Sequence, residues 1–223
     1  MKNRTLIFEE TFNEGTLPNQ SNWDYDVGGK GWGNGELQYY TYANPENVKI
    51  QDGKLIITAV KKEVEGHPIT STRLVTPGKK HWLYGRFEIR AKMPKGQGTW
   101  PAIWMLGVDE ENLGWPRMGE IDIMEHVGRD QDTVHFSLHT EKYNHPKKTQ
   151  ITYVSKIANV SDEFKTYVMD WSEDKISFEV DNEHYTTFYK KDYADSWPFD
   201  KPHYLILNLA MGGGFGGQVD MAC

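Results

Sequence analysis

Apolar and polar residues alternate with a period of two along much of this chain, a pattern typical of β-strands with one buried face. In residues 87–93, every odd position is apolar and every even position is charged. Two further pairs of short runs predict antiparallel hairpins: 47–50 with 55–60, and 167–171 with 176–180. The first pair is joined through Asp52-Gly53, a dipeptide that favours tight hairpin turns.

Residues 204–210 are almost continuously apolar, as expected for a strand that is buried on both faces. Helical periodicity is hard to find, and clusters of Gly, Asn, Asp and Pro separate the short runs. A chain of 223 residues suits one all-β domain. We therefore predict a single, all-β domain over residues 1–223, built as an antiparallel β-sandwich.

The composition narrows the range of functions. Aromatic residues make up 13% of the chain, more ring surface than one core needs, so we expect some rings to face a ligand. The net charge of −7 disfavours nucleic acid as a partner. The one cysteine, Cys223, cannot form an intramolecular disulfide or a thiolate metal cluster. No apolar run reaches the roughly 18 residues of a membrane span, and no signal segment opens the chain, so we expect any secretion signal to have been removed.

One short segment combines three carboxylates with apolar residues. In a regular strand Glu120 and Asp122 share a face, and Glu125 lies on the opposite one. A β-bulge around Ile123-Met124 would return Glu125 to their side, and bulges are frequent beside active sites. Such carboxyls suit glycosidic bond cleavage, in which one acid protonates the leaving oxygen and another faces the anomeric carbon. An acidic sheet edge and a calcium site are the alternatives for this pattern.

Three tryptophans flank the acidic segment: Trp100, Trp104 and Trp115. Flat aromatic faces hold sugar rings, so we predict that at least one of these indoles stacks on a sugar. Trp100 and Trp104 are four residues apart and share a strand face, which leaves core packing as the alternative for that pair.

The acidic segment resembles the active-site motif of family 16 glycoside hydrolases, in the form whose extra residue marks the laminarinase-type branch. Four further motifs occur in the order of that family: residues 31–41, 84–88, 100–104 and 208–213. The likeness covers most of residues 6–218. It implies a jelly roll of the concanavalin A-like kind, in which a sugar cleft crosses the concave sheet, and a retaining double displacement.

The resemblance also implies roles for single residues. Glu120 is the expected nucleophile, Glu125 the acid/base and Asp122 the helper between them, with no cofactor required for the chemistry. Six residues fall where the family binds sugar around the scissile bond: Asn34, Arg73, Trp100, Trp104, Trp115 and His139. Laminarinase-type members cut β-1,3-glucan internally and often accept mixed β-1,3/1,4-glucan. We therefore expect a secreted endo-β-1,3-glucanase whose partner is β-glucan.

The chain departs from the family at its end, because residues 220–223 stop where a final strand usually follows. We expect that strand to be missing, and the protein to be a monomer unless another chain supplies it. Many relatives bind a structural calcium ion with a carboxylate near the start, a carbonyl near a turn and an acid of the last strand. Glu10 and Gly53 are the candidates here, and the third ligand has no obvious counterpart.

Other interpretations stay open. A carbohydrate-binding jelly roll without activity would keep the tryptophans but would not need both Glu120 and Glu125. Agarases and carrageenases share the bulged motif, and a transglycosylase differs only in whether sugar or water attacks the intermediate. Residues 212–217 match the G-x-G-x-x-G spacing of a dinucleotide loop, but too few residues follow for the required helix. Three histidines could indicate zinc, although one sugar-contacting histidine is the favoured interpretation: His135, His139 and His145.

Overall fold

The computed structural model of the protein describes residues 4–76, 78–109 and 111–221, so Cys223 lies outside the described residues. Its strands are β1 (Asp24–Asp26), β2 (Gln38–Tyr40), β3 (Val48–Gln51), β4 (Lys54–Ile57), β5 (Val60–Val64), β6 (His67–Ser71), β7 (Arg73–Val75), β8 (Gly85–Ala91), β9 (Thr99–Gly107), β10 (Glu120–His126), β11 (Thr133–His139), β12 (Ile151–Lys156), β13 (Lys165–Ser172), β14 (Lys175–Val180), β15 (Glu183–Tyr189) and β16 (His203–Met211). A four-residue helix, α1 (Gly213–Gly216), follows the last strand. Within these ranges, no helix is long and apolar enough to cross a membrane.

Two large sheets form the layers of the molecule. The first has seven strands in the order β1-β7-β16-β9-β10-β11-β12, and the second has four in the order β15-β14-β13-β8. All neighbouring pairs within these two sheets are antiparallel. Two smaller sheets complete the described fold, β2-β6-β5 and β3-β4. This arrangement confirms the predicted all-β jelly-roll sandwich.

Both predicted hairpins form, β3 with β4 and β13 with β14. Asp52 and Gly53 join the first pair with φ angles of 52° and 65°, positive values that a type I′ turn requires. The prediction of one continuous strand over residues 55–60 was wrong. The N–H of Thr58 donates to the carbonyl of Asn47, and the chain then leaves the hairpin, so β5 pairs with β6 in another sheet.

The main core lies between the two large sheets. Ile121 of β10 and Phe136 of β11 meet Met169 of β13 and Phe178 of β14, and all four side chains are fully buried. The rings of Phe136 and Phe178 stack with their centroids 5.3 Å apart. Burial of each such side chain stabilises the fold by about 2–3 kcal/mol. This core fixes the inner face of the seven-stranded sheet, and the opposite face of β10 carries the candidate site.

Candidate active site

A β-bulge in β10 brings the three acidic side chains to one face of the sheet. The register of β10 against β9 shifts by one residue between Asp122 and Met124, and a matching shift occurs against β11. Met124 is thereby buried in the core with its apolar neighbours, while Glu120, Asp122 and Glu125 share the opposite face. The structure confirms the bulge that the sequence predicted at this position.

Each glutamate of the site is held by an indole N–H. The Nε1–H of Trp115 donates to Oε2 of Glu120 at 2.6 Å, and that of Trp100 donates to Oε1 of Glu125 at 3.0 Å. Two tryptophans that the sequence predicted as sugar platforms therefore also orient the carboxyls. An N–H bond to an ionised carboxylate is stronger than one to a neutral acid, so each favours the charged form of its partner.

His139 lies beside the same acids, as predicted. Its Nε2 is 3.3 Å from Oδ2 of Asp122 and 3.7 Å from Oε1 of Glu120. Asp122 is almost completely buried, and among the described residues its Oδ2 has no hydrogen-bond partner. His139 thus lies beside two carboxyls that share one face of β10.

Burial and mutual repulsion raise the pKa of all three carboxyls. Burial and then the charge of Asp122 raise the pKa of Glu120 to about 8, and His139 and the Trp115 N–H partly offset this rise. Burial is also the main cause that raises the pKa of Glu125 to about 7. The pKa of Asp122 lies well above its usual value because of burial and the charge of Glu125. At neutral pH the cluster therefore holds protons, which a general acid requires.

The carboxylate of Asp109 stabilises the loop that carries Trp115. The two oxygens of Asp109 accept the backbone N–H groups of Leu113 and Gly114 at 2.6 and 2.7 Å, immediately before Trp115. Trp115 is 41% exposed, and its ring lies 6.1 Å from that of His139. The open ring face is available to a sugar while the N–H is held by Glu120.

Arg73, Trp32 and Trp104 together form one wall of the cleft. The guanidinium of Arg73 lies over the rings of Trp32 and Trp104, at 4.8 and 4.7 Å from their centroids, and its Nε is 2.8 Å from Oδ2 of Asp26. Register places Trp104 opposite Asp122, so this wall shares the face of the acids. Trp104 is only partly buried there, which excludes the alternative that it belongs to the core between the sheets.

The sequence did not indicate the hydrogen-bonded residues that support this wall from behind. Trp104 donates its Nε1–H to Asn208, whose Nδ2 donates to the hydroxyl of Tyr40, at 2.7 and 2.9 Å. Tyr40 and Asn34 in turn donate to opposite oxygens of Glu36, at 3.4 and 2.9 Å. Glu36 is buried, and burial raises its pKa.

This chain of bonds joins the two predicted sugar ligands Asn34 and Trp104 through interior groups. The one sequence signal for it is Asn208, a polar residue within the otherwise apolar run 204–210. Its partner Tyr40 lies 168 positions away, so the sequence alone does not pair them.

Two groups in the described residues bear on metal binding. Single ligand atoms of Glu120, Asp122 and His139 lie within 4.8 Å of one another, a spacing that could hold a cation. The predicted calcium ligand Glu10 instead accepts N–H groups from Phe12, Asn22 and Trp23 at its two oxygens. These three donors orient the carboxylate of Glu10.

Gly53, the other predicted calcium ligand, lies in the β3–β4 turn against the side-chain oxygen of Asn13. Asn13 would add an oxygen ligand near this turn. Calcium at these residues stays a prediction.

Comparison with known proteins identifies relatives over nearly the whole chain. The sequence model described as "Glycosyl hydrolases family 16" matches residues 35–220. A beta-glucanase of Rhodothermus marinus is 48% identical over 222 residues, which cover 96% of this chain and 77% of that protein. A glucan endo-1,3-beta-glucosidase of Cryptopygus antarcticus is 39% identical, and the match covers 95% of this chain and 82% of that protein.

Solved structures give the same result for the fold. The X-ray structure of the laminarinase from Rhodothermus marinus superposes with a TM-score of 0.92 at 47% sequence identity. The match covers 96% of this chain and 90% of the laminarinase chain.

Proposed function

The chain belongs to family 16 of the glycosyl hydrolases, and on that premise we propose that it cleaves internal β-1,3-glucosidic bonds of laminarin-type glucans with retention of configuration. Mixed β-1,3/1,4-glucans are the expected second substrate. The observation that carries the proposal is the bulged strand β10, which sets three carboxyls side by side in a cleft walled by indoles. That arrangement supplies a carboxylate for the anomeric carbon and an acid for the leaving oxygen.

In the first step Glu120 attacks the anomeric carbon and Glu125 protonates the glycosidic oxygen. The bond between the anomeric carbon and the leaving oxygen breaks as the ester bond to Glu120 forms. In the second step Glu125 takes a proton from water, the water oxygen attacks the anomeric carbon, and the ester bond to Glu120 breaks. Both carboxyls thus return to their starting forms.

Asp122 is the proposed helper because it can hold a proton beside the nucleophile. Burial and then the charge of Glu125 hold the pKa of Asp122 well above its usual value, and its side chain lies on the same face of β10 as that of Glu120. A proton on Asp122 removes the like charge that raises the pKa of Glu120. The reaction starts from the form in which Asp122 and Glu125 hold protons and Glu120 is ionised.

The proposed sugar contacts divide between two sides of the acids. Arg73 and Trp104, with Asn34 behind them, form one side, and Trp115 with His139 lies over Glu120. Neutral β-glucan suits this surface because its ring faces stack on indoles and its hydroxyls bond to Arg, Asn and His. Monomeric state, secretion and chemistry without a cofactor stay predictions.

Proton NMR of the products during digestion of β-1,3-glucan tests the proposal. We expect the β-anomer to appear first, because two displacements at one carbon retain its configuration. Mixed-linkage glucan and agarose serve as parallel substrates, and agarose should stay intact. Early α-anomer contradicts the retaining mechanism, and release of sugar from agarose alone contradicts the substrate class.

Trp104→Ala is expected to raise KM for β-1,3-glucan about tenfold, because the stacking face of one sugar site is lost. The pH dependence of kcat should stay as in the wild type, since the Trp104 N–H bonds Asn208 and not a carboxyl. Steady-state kinetics at several pH values measures both. Trp104→Phe, which retains a ring, is the matched control and should show a smaller rise. An unchanged KM in Trp104→Ala would count against stacking at this position.

A further inference from the structure

The hydrogen bonds behind the wall of Arg73, Trp32 and Trp104 run in one direction, toward Glu36. The indole N–H of Trp104 can only donate, and its acceptor is Oδ1 of Asn208. The amide nitrogen of Asn208 therefore donates to the hydroxyl oxygen of Tyr40, whose own proton is directed to Oε2 of Glu36. This oxygen of Glu36 has to be an acceptor for the chain of bonds to close.

A backbone group fixes a second donor on the same oxygen. The N–H of Met211 donates to Oε1 of Gln38 at 2.7 Å, so the amide nitrogen of Gln38 is directed to Oε2 of Glu36, at 2.6 Å. A backbone N–H cannot become an acceptor, so the buried Gln38 cannot reverse its amide without losing both bonds. Two independent donors thus require an acceptor at Oε2.

The other oxygen of Glu36 orients the predicted sugar ligand Asn34. Asn34 Nδ2 donates to Oε1 of Glu36 at 2.9 Å. The backbone of Asn34 is also held, because its N–H donates to Gly31 O at 2.9 Å and its carbonyl accepts the N–H of Gly214 at 2.8 Å. A side-chain amide has a donor at one end and an acceptor at the other, so Oδ1 is the end of this partly exposed side chain that remains for a sugar.

The surroundings of Glu36 favour a carboxylate that only accepts. Its side chain is buried, and a β-carbon at Gly213 would come within 3.3 Å of its Cγ, so the glycine-rich segment covers it closely. Burial raises the pKa of Glu36, while the hydrogen bonds from Asn34 and Gln38 and the charge of Arg73 oppose this rise. Three donors around one carboxyl group suit its ionised form.

Resting on the proposed function, we propose that Glu36 is a positioning residue that sets substrate specificity by making Asn34 a hydrogen-bond acceptor toward the sugar. The sugar group at Asn34 must then be a hydroxyl that donates. The donors to Glu36 all lie outside β10, so this role is separate from the chemistry of the three acids. Loss of the role should weaken substrate binding and spare the chemical steps.

Glu36→Gln reverses the polarity at Asn34. The new amide must keep its oxygen toward Gln38 and Tyr40, so its nitrogen faces Asn34 and makes that side chain turn its own nitrogen into the cleft. A sugar hydroxyl then meets a donor in place of an acceptor. We expect KM for β-1,3-glucan to rise about tenfold and kcat to be retained, as measured by steady-state kinetics.

The exchange of amide and carboxylate between the two positions provides the decisive test. Asn34→Asp alone should also raise KM, because its carboxylate repels that of Glu36. In the double variant Glu36→Gln/Asn34→Asp, the new amide donates to the new carboxylate, which again presents an acceptor to the sugar. We expect KM of the double variant to return to within about threefold of the wild type. If Glu36 only filled space, the two losses would multiply instead.

Glu179→Gln is the matched control, since Glu179 is also a partly buried carboxylate that accepts a side-chain N–H, from Arg86 at 3.1 Å, but it lies on β14 in the other sheet. It should retain KM and kcat, and circular dichroism checks the fold of every variant.

An unchanged KM in Glu36→Gln overturns the positioning role, as does a loss confined to kcat. Losses that multiply in the double variant also overturn it. If Glu36→Gln does not fold, the double variant is compared with Asn34→Asp, and a KM no lower than that of Asn34→Asp overturns the role. A wild type inactive on β-1,3-glucan overturns the proposed function instead.

Discussion

Glu120→Gln is expected to lower kcat/KM on β-1,3-glucan by about 10⁴-fold or more, because the neutral amide cannot form the glycosyl ester. The amide oxygen can still accept the Trp115 N–H, so the fold and the loop position should be retained. Steady-state kinetics and circular dichroism measure the two effects. Glu63→Gln, the same change at an exposed position on β5, is the control and should retain full activity.

The same variant has an expected effect on stability whose sign follows from the pKa of Glu120. The pKa of Glu120 in the folded state, about 8, lies above its ordinary value. The contribution of this carboxyl group to the free energy of unfolding is therefore fully present at low pH and is lost as pH rises toward 8. Glu120→Gln removes this loss of stability, because the amide does not ionise. At pH 7 the variant should be more stable than the wild type by an amount on the order of 3 kcal/mol, and at pH 4 the two should be equal.

Denaturant unfolding at both pH values measures this difference. Retained turnover in Glu120→Gln would contradict its role as nucleophile. If Glu120→Gln is less stable than the wild type at pH 7, ionisation of Glu120 does not destabilise the folded state, and the prediction is wrong.

Glu125→Gln is expected to lower kcat/KM on β-1,3-glucan by about 10²–10⁴-fold, the usual contribution of a general acid. An aryl glycoside with an activated leaving group needs little protonation, so formation of the glycosyl-enzyme should be far less affected with that substrate. Rapid-mixing kinetics that follow release of the aryl group distinguish the two substrates. Equal losses on both would contradict the acid role.

The pH profile of the wild type provides a second test of Glu125. Its pKa of about 7 means that the protonated, active form is lost above neutral pH, so kcat/KM should fall tenfold per unit on the alkaline side. This alkaline limb should disappear in Glu125→Gln, which has no proton to lose. Its persistence there would assign the limb to a different group.

The acidic cluster was predictable because its chemistry is confined to one short strand. Glu120, Asp122 and Glu125 are interleaved with apolar residues. Placing all three carboxyls on the face opposite the core requires an extra residue at the position where the structure has it. Local pattern also predicted the Asp52-Gly53 turn, since both residues adopt positive φ readily.

The contacts that support the site from the interior were not predictable, because they join segments that are far apart in the sequence. The bond from Asn208 to Tyr40 joins positions 168 residues apart, and the packing of Phe215 on His135 depends on where the glycine-rich segment folds back. Periodicity reports which face a residue shares within one strand, and it carries no information about partners on distant segments. The break after Ile57 was missed because the partner strand of β5 lies in another sheet.

The cleft also has a consequence for engineering. The three acids lie on β10, which packs against the core between the sheets, whereas Asn34 and Phe215 lie on segments outside that core. Those two segments are joined by the bond from Gly214 N–H to Asn34 O at 2.8 Å. A graft that aims to change which polysaccharide is accepted should therefore exchange residues 31–36 and 212–217 together, as one cassette, and can leave β10 untouched.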